Sequence, residues 1–506
     1  MSDTAAAQQD NEHIALFAEH ENIHPLKVSG VFRKLKWFFL VNMLAAYYIA
    51  PFLRWDRGPD APGQAILFDI PNRRFYMGPI EIWPQEVYYF TGILMVASLL
   101  LFLTTAVAGR VWCGFWCPQT IWTDLFVMVE RWIEGDRRKR IALDKAPWNF
   151  DKIRKRVLKH SVWIVISWWT GGALVLYFTD AYQLVSGLTT DVTTFLGQIF
   201  SLQIPTMPIY LTAWIWISIF AGTTYLLAGI AREQVCIYMC PWPRIQAALT
   251  DPEALNVTYR YDRGEPRGSV KKQKKLAATG AATGDCIDCN QCVWVCPTGT
   301  DIRLGMQLSC INCGLCIDAC NNIMAKVGRP AGLIAFDTDL NIERRMKGEK
   351  NSFRPVRPRT LIYLFALFLA IGLMGWSLMN RTVTGINVLH DRNPLYVEEG
   401  DGSVMNGFTV RMLNMERKNR RFTLSVRGPD GAKITKVSEG MFVFKKSPDG
   451  LFVVTVKPDT TRELRVIVVL PAGKANVKSA PLTFIAKDLE TGNQLKRSDF
   501  FKGPGQ

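Results

Sequence analysis

Cys286-Ile-Asp-Cys289-Asn-Gln-Cys292-Val-Trp-Val-Cys296-Pro297 and, with thirteen residues between Cys296 and its start, Cys310-Ile-Asn-Cys313-Gly-Leu-Cys316-Ile-Asp-Ala-Cys320 decide how the middle of this chain folds. Each run reads C-x2-C-x2-C-x3-C, the spacing with which bacterial ferredoxins wrap a cubane cluster, the fourth cysteine of each run crossing to the other cluster. A cubane presents four irons at tetrahedral corners, each needing one soft thiolate, and a tight C-x2-C-x2-C loop reaches only three of them. Two 4Fe-4S clusters are therefore the expected cofactors, one on Cys286, Cys289, Cys292 and Cys320, the other on Cys310, Cys313, Cys316 and Cys296. A structural zinc site, the plainer alternative, uses two separated C-x2-C pairs and not two four-cysteine runs. Pro297 follows the first run as the pattern has it, whereas Asn321 follows the second, a departure that bears on loop shape and not on ligand count.

Bulk composition sets the surroundings of this module. The 506 residues leave room for several domains, and 49% hydrophobic composition beside a net charge of +16 points to apolar spans separated by basic loops. All twelve cysteines stand in short-spaced groups, eight in the two runs and four in two C-x3-C pairs. That distribution argues for cofactor ligation in a reducing compartment over a disulfide framework. Nucleic acid as a partner is set aside, because the basic residues flank apolar spans instead of forming one face.

Residues 1–30 are polar and read as a tail without a cleavable signal, so that the first span serves as an anchor. Five apolar spans follow, Trp37 to Leu53, Val87 to Ala108, Ser161 to Phe178, Ile209 to Ile230 and Leu361 to Met379, each near the ~20 residues a helix needs to cross a bilayer. Lys27, Arg33, Lys34 and Lys36 precede the first, twelve Lys or Arg lie in 109–160, and none lies between Asp180 and Thr206. The positive-inside rule then puts the N-terminus and segments 109–160 and 231–360 in the cytoplasm and the C-terminal region outside. Beyond the fifth span, about 120 residues of alternating apolar and polar runs with turn residues between them suggest an immunoglobulin-like β-sandwich. The expected fold is a multi-pass α-helical membrane protein with a two-cluster ferredoxin insert and a C-terminal all-β immunoglobulin-like domain. Its segments divide as 1–36 (tail), 37–250 (four-span core), 251–285 (linker), 286–335 (ferredoxin domain), 336–360 (linker), 361–380 (fifth span) and 385–506 (sandwich). Gly264 to Gly284, rich in Lys, Gly, Ala and Thr, reads as a flexible tether into the insert.

A shift of 123 residues lays Cys113 on Cys236, Cys117 on Cys240 and Pro118 on Pro241, and superimposes spans one and two on spans three and four. Such a parallel repeat has a pseudo-twofold axis along the membrane normal. It makes the two C-x3-C-Pro elements face one another at the cytoplasmic ends of their spans, forming a four-thiolate site of Cys113, Cys117, Cys236 and Cys240. Thiolates select soft ions, and Cu(I) is favoured by such a site where zinc and iron–sulfur are excluded. Two local geometries stay open: helical spacing that stacks both sulfurs of a pair on one face, or a helix starting at the proline with the second sulfur at its N-terminus. Packed core cysteines or disulfides are the plainer readings, weakened by the presence of two copies in an internal repeat. Asp124 and Thr120 continue the Cys113 face at helical steps and read as interfacial polar residues or as aids to a metal or proton. His13, His20 and His24 in the tail read as solvated side chains, and Met405, Met412 and Met415 as core packing, ahead of copper ligation in either case. Haem is set aside from the histidine count, since a membrane b-type haem generally needs axial histidines and only His160 lies near a span, and no G-x-G-x-x-G follows a strand.

Together these residues resemble the CcoG/FixG/RdxA family of cytochrome oxidase accessory proteins, related in membrane core to the NosR and NapH polyferredoxins. The resemblance rests on Cys113-Gly-Phe-Trp-Cys117-Pro118, Cys236-Ile-Tyr-Met-Cys240-Pro241, both ferredoxin runs, Asn322 to Ile334 and Asp391-Arg-Asn-Pro394, in that order along nearly the whole chain. It implies a protein of the bacterial inner membrane that reduces Cu(II) to Cu(I) for the copper B site of cbb3-type cytochrome c oxidase. The partners implied are the lipid bilayer, oxidase subunits or their assembly factors, a cytoplasmic electron donor, and a copper transporter or chaperone. Other readings of the same residues are a quinol-linked electron conduit, an assembly scaffold with structural clusters, and a dithiol oxidoreductase.

Overall fold

The computed structural model describes residues 23–58, 61–201, 207–416, 418–448, 450–474 and 476–505; His13 and His20 lie outside them. From the N-terminal side the helices are α1 (Val31–Ile49), α2 (Tyr88–Ala108), α3 (Val111–Phe115), α4 (Pro118–Glu134), α5 (Arg137–Lys145), α6 (Phe150–Val175), α7 (Ala181–Phe200), α8 (Leu211–Thr224, continued by π-helical turns to Ala231) and α9 (Trp242–Leu249). A small antiparallel meander, β1 (Ile66–Asp69), β2 (Arg74–Met77) and β3 (Ile80–Ile82), joins α1 to α2.

Among the described residues four helical stretches are long and apolar enough to cross a membrane: Val31–Phe52, Pro84–Ala108, Leu211–Ala231 and Pro358–Met379. Protein buries only 6% of the apolar window in the last of these, so hydrocarbon is the solvent its surface matches. The remaining expected span, Ser161 to Phe178, is not among the four. It forms the end of α6, whose first turns carry Lys152, Arg154, Lys155, Arg156 and Lys159, leaving an apolar part short of a bilayer's ~20 residues. The connection after Asp180 holds an unexpected helix, α7, capped by the Asp180 carboxylate accepting from Tyr182 N and Gln183 N. The repeat reaches into the backbone: α2 and Leu211–Ala231 are both 21 residues long and coincide under the 123-residue shift. Each is followed by a left-handed residue, Gly109 (φ 56°) and Arg232 (φ 40°).

Around the cysteine runs lie α10 (Tyr261–Gly264), α11 (Val270–Ala278), α12 (Gln291–Trp294), α13 (Leu315–Lys326) and α14 (Asp339–Met346). The antiparallel pair β4 (Asn256–Tyr259) and β5 (Ile334–Asp337) closes the insert across its two ends. The stretch expected as a flexible tether is thus partly folded. Within α11 the buried Gln273 donates to Gly284 O and Cys286 O and fixes the chain as it enters the first cysteine loop. Composition hid this helix, since its lysines face solvent and a single amide carries the docking.

The insert is locked to the helical core by charge. Gly30 offers no side chain to cap α1; Asp318 of α13 supplies the carboxylate instead, accepting from Phe32 N (3.3 Å) and Arg33 N (2.8 Å). A turn later, Arg33 Nη1 (3.0 Å) and Lys36 Nζ (3.2 Å) meet the buried Asp124 of α4. Burial pushes the Asp124 carboxyl up, but Lys36 and Arg33 outweigh it and hold it below the ordinary carboxylate range. Further along α4, Glu130 collects Arg140 (2.9 Å), Arg232 (3.0 Å) and Lys159 (3.6 Å).

After α15 (Pro358–Met379), within which the chain divides into two compact units at Met374, the second unit is all β. Its strands are β6 (Thr384–His390), β7 (Val397–Glu398), β8 (Val404–Asn414), β9 (Arg420–Arg427), β10 (Lys433–Glu439), β11 (Phe442–Val443), β12 (Phe452–Val456), β13 (Thr460–Leu470), β14 (Ser479–Asp488) and β15 (Gln494–Lys502). They form two antiparallel sheets, β11-β10-β13-β8-β6 with β7 paired to β8, and β12-β9-β14-β15. Alternation supplies the core: Phe408, Val410, Met412, Phe422, Val454, Val466 and Phe484 point inward and are fully buried, so Met412 is a packing residue.

Asp124→Asn removes the shared counter-charge of two buried cations and is expected to lower stability by roughly 3–5 kcal/mol. Asp318→Ala, which removes only a cap, is expected to cost about 1 kcal/mol. Thermal unfolding of the detergent-solubilised protein measures both.

Candidate metal centres

The two cysteine loops share one backbone design. In each, the residues flanking the second cysteine are left-handed: Asp288 (φ 57°) and Asn290 (φ 56°) about Cys289, Asn312 (φ 53°) and Gly314 (φ 72°) about Cys313. Asn, Asp and Gly are the types that tolerate this conformation, and consecutive amides turned in this way line a concavity suited to an anion. Each loop then feeds a helix, with Asn290 preceding α12 and Gly314 preceding α13.

The fourth cysteines cross. One cavity is lined by Cys286, Cys289, Cys292 and Cys320, closed by Tyr259, Leu333 and Ile334. A second is lined by Cys296, Cys310, Cys313 and Cys316, with Ile302, Ile311 and Leu315. Cys292 borders both, so the two sites adjoin. Four soft donors around each apolar-walled cavity fit a cubane. Burial pushes the thiols of Cys292, Cys310 and Cys320 up to about 12, so a positively charged group must displace their protons to enter.

The other four cysteines also come together. Cys113 lies in α3, whereas Cys117 is extended (φ −67°, ψ 126°) and precedes α4; Cys240 is extended in the same way (φ −78°, ψ 126°) ahead of α9. The stacked-face geometry is therefore not the one adopted, because Pro118 and Pro241 each force the cysteine before them out of the helical region. Cys117 and Cys240 are electrostatic neighbours of both Cys113 and Cys236, and burial followed by these neighbours pushes the Cys113 and Cys236 thiols up to about 12. Among the described residues no three His, Cys, Asp or Glu side chains close around a single ion. Thr120 donates to Cys113 O (2.7 Å), and Asp124 is held by its two cations, so both have structural partners. His24 Nε2 faces Asp144 Oδ2 at 2.7 Å.

This quartet abuts the second ferredoxin loop. A Cβ on Gly114 would lie 2.8 Å from Ile311 O and 2.9 Å from Cys313 Cα, so only glycine permits the approach. Cys113 packs with Cys313 and Cys316 in one apolar cluster, and its sulfur donates to Gln246 Oε1 at 3.2 Å. Another cavity, lined by Arg33, Lys36, Asp124, Arg232 and Glu233, runs from Cys236 to Pro297 and Ile311. Gly114 and Arg110, which the cysteine spacing did not single out, are the residues that make this junction.

The crossing has a direct test in iron content and EPR spin count. Cys320→Ser added to Cys289→Ser is expected to remove no more iron than Cys289→Ser alone, while Cys320→Ser added to Cys313→Ser removes both clusters.

Residues 231–339 match a family described as "4Fe-4S dicluster domain", residues 90–140 one described as "4Fe-4S binding domain", and residues 374–504 one described as "IG-like fold at C-terminal of FixG". The chain is 43% identical over 501 residues to nitrogen fixation protein FixG of Rhizobium meliloti (strain 1021), covering 94% of this chain and 91% of that one. It is 44% identical over 502 residues to protein RdxB of Cereibacter sphaeroides, covering 98% and 99%, and 47% identical over 422 residues to protein RdxA of the same organism, covering 83% and 85%. Identity of this order, sustained along nearly the full length of such relatives and through both cysteine-rich regions, assigns the chain to the FixG/RdxA family of membrane iron–sulfur redox proteins.

Proposed function

We propose that the protein is a cupric reductase that passes single electrons from a cytoplasmic donor to copper destined for the copper B site of a cbb3-type cytochrome c oxidase. The observation that carries this reading is the seating of Cys113-Gly114 on Ile311 to Cys313, which puts a thiol pair of the helical core against the second ferredoxin loop. When bound, the two 4Fe-4S clusters supply one-electron transfer at low potential. Cys286, Cys289, Cys292 and Cys320 would hold one; Cys296, Cys310, Cys313 and Cys316, whose loop packs on Cys113, would hold the other. Ile302, Ile311 and Leu315 keep water from the second site. The substrate Cu(II) gains one electron and becomes Cu(I). In this reading Cys113, Cys117, Cys236 and Cys240, which do not close around a single ion in the ligand-free arrangement, draw together to bind it, releasing their protons, and as thiolates they favour the reduced ion.

The distribution of Lys and Arg favours an inner-membrane protein with the N-terminus and the ferredoxin domain in the cytoplasm; the sandwich is periplasmic in this reading if the short apolar end of α6 crosses as a fifth span beside the four long apolar helices. Oxidase assembly factors and a copper transporter or chaperone are its partners in this reading. A second reading has one observation in its favour: residues 90–140, which include Cys113 and Cys117, match an iron–sulfur family, which suits a further cluster on the quartet.

Anaerobic mixing of the dithionite-reduced protein with Cu(II) separates these readings. Cys117→Ser and Cys240→Ser are expected to keep the parent iron content and to reduce Cu(II) about tenfold more slowly or worse, ~1.4 kcal/mol or more in barrier. Parent rates in both variants would sink the copper assignment, and loss of one further cluster's worth of iron would favour the second reading.

A further inference from the structure

Arg110 stands apart from the other buried cations. It is 4% exposed, between α2 and α3, and its guanidinium donates only to carbonyls: Nη1 to Gln307 O (3.2 Å), Leu308 O (2.7 Å) and Cys310 O (3.2 Å), Nη2 to Pro243 O (3.0 Å). Arg33 and Arg140 are buried against carboxylates. Among the described residues no carboxylate lies within ion-pair distance of Arg110. Carbonyl dipoles satisfy its N–H groups, but they carry no net charge, and a buried cation without a counter-ion is costly.

The groups on which its charge acts are the sulfurs of Cys310 and Cys113. As thiols these are neutral; as metal-bound thiolates they are anionic. The missing counter-charge therefore exists only when the sites on either side are loaded. The repeat sharpens the point, because the residue equivalent to Arg110 in the second half is the buried Glu233. A part in helix packing common to both halves would call for the same residue twice. The arginine belongs instead to the half that touches the second ferredoxin loop.

We infer that Arg110 is the potential-setting residue of the junction, a fixed positive charge that favours the added electron on the second cluster and lies between that cluster and the cysteine quartet. A cation at this place lowers the energy of the more negative, reduced state and so raises its potential. Arginine suits the task better than lysine because its planar fork reaches several carbonyls at once and it does not lose its proton. One electron arrives from the first cluster and one leaves to Cu(II), giving Cu(I), while Arg110 keeps its proton throughout. The identity of the final acceptor rests on the cupric-reductase reading; the effect on the second cluster does not.

The experiment is an EPR-monitored redox titration of the full-length protein in detergent without copper, the second cluster being the signal absent from Cys313→Ser. Arg110→Gln is expected to lower the reduction equilibrium of the second cluster by about tenfold, ~59 mV for one electron, and to leave the first cluster unchanged. Arg110→Lys is expected to restore most of the shift. An unchanged midpoint in Arg110→Gln overturns the inference, and so does an equal shift in both variants, which would make geometry and not charge the determinant. Loss of the second cluster from both variants overturns it in favour of a purely structural strut. Failure of the parent protein to reduce Cu(II) would remove the copper acceptor and leave the midpoint comparison standing.

Discussion

The contact between Gly114 and the backbone of Ile311 to Cys313 is the constraint on which the arrangement of the cysteine clusters depends. No side chain fits there, so two stretches of main chain nearly 200 residues apart meet directly. Cys113 is thereby fixed beside the second cysteine loop without an intervening layer of side chains. The neighbouring interactions serve to hold that approach. Asp318 caps α1 from across the seam, Asp124 gathers Arg33 and Lys36, and Arg110 ties the Cys310 loop to Pro243. Buried ion pairs of this kind contribute little net stability over apolar packing, but breaking one leaves an uncompensated charge. Here they fix the register between a ferredoxin module and a helical core.

Built from a repeat, the core uses its two halves differently. Helix length, the left-handed residue after the helix and the extended cysteine before proline recur. The first cysteine of each pair does not repeat its setting: Cys113 sits in an ordinary α-helical turn, Cys236 in a π-helical one. Arg232 also adopts a backbone conformation that its counterpart Gly109 adopts without penalty. Its side chain is held by Gly229 O, by the ion pair with Glu130 and by the face of Trp163 at 5.2 Å, and these contacts stabilise the strained turn. Among the described residues only the first half meets the second cysteine loop through a glycine backbone, so a symmetric pair of elements stands in asymmetric surroundings.

Much of the chain was legible because its signals are local. Apolar length gives four helical stretches able to cross a membrane, alternation gives the sandwich, and the eight cysteines of the two runs line two cavities, the fourth of each run beside the first three of the other. Less was legible where one residue does the folding against a distant partner. The helix α11 depends on the single amide of Gln273, and the span expected at Ser161 to Phe178 belongs to a helix whose charged first half packs on Glu130 and Glu134. Helical spacing allowed Cys113 and Cys117 to stack, and the steric demand of Pro118 excluded it.

By itself the sequence determined which chemistry the chain can hold, since thiolate number and spacing are properties of a short loop and do not depend on what packs around it. It also determined that two C-x3-C-Pro elements are equivalent, because a repeat is visible in register alone. Tertiary structure decided which of them meets the second cysteine loop through a bare glycine, at Gly114, and where the unpaired charge of Arg110 lies. Those are distances between segments far apart in the chain, set by which side chains are absent and which charges must be satisfied, and no local pattern encodes them.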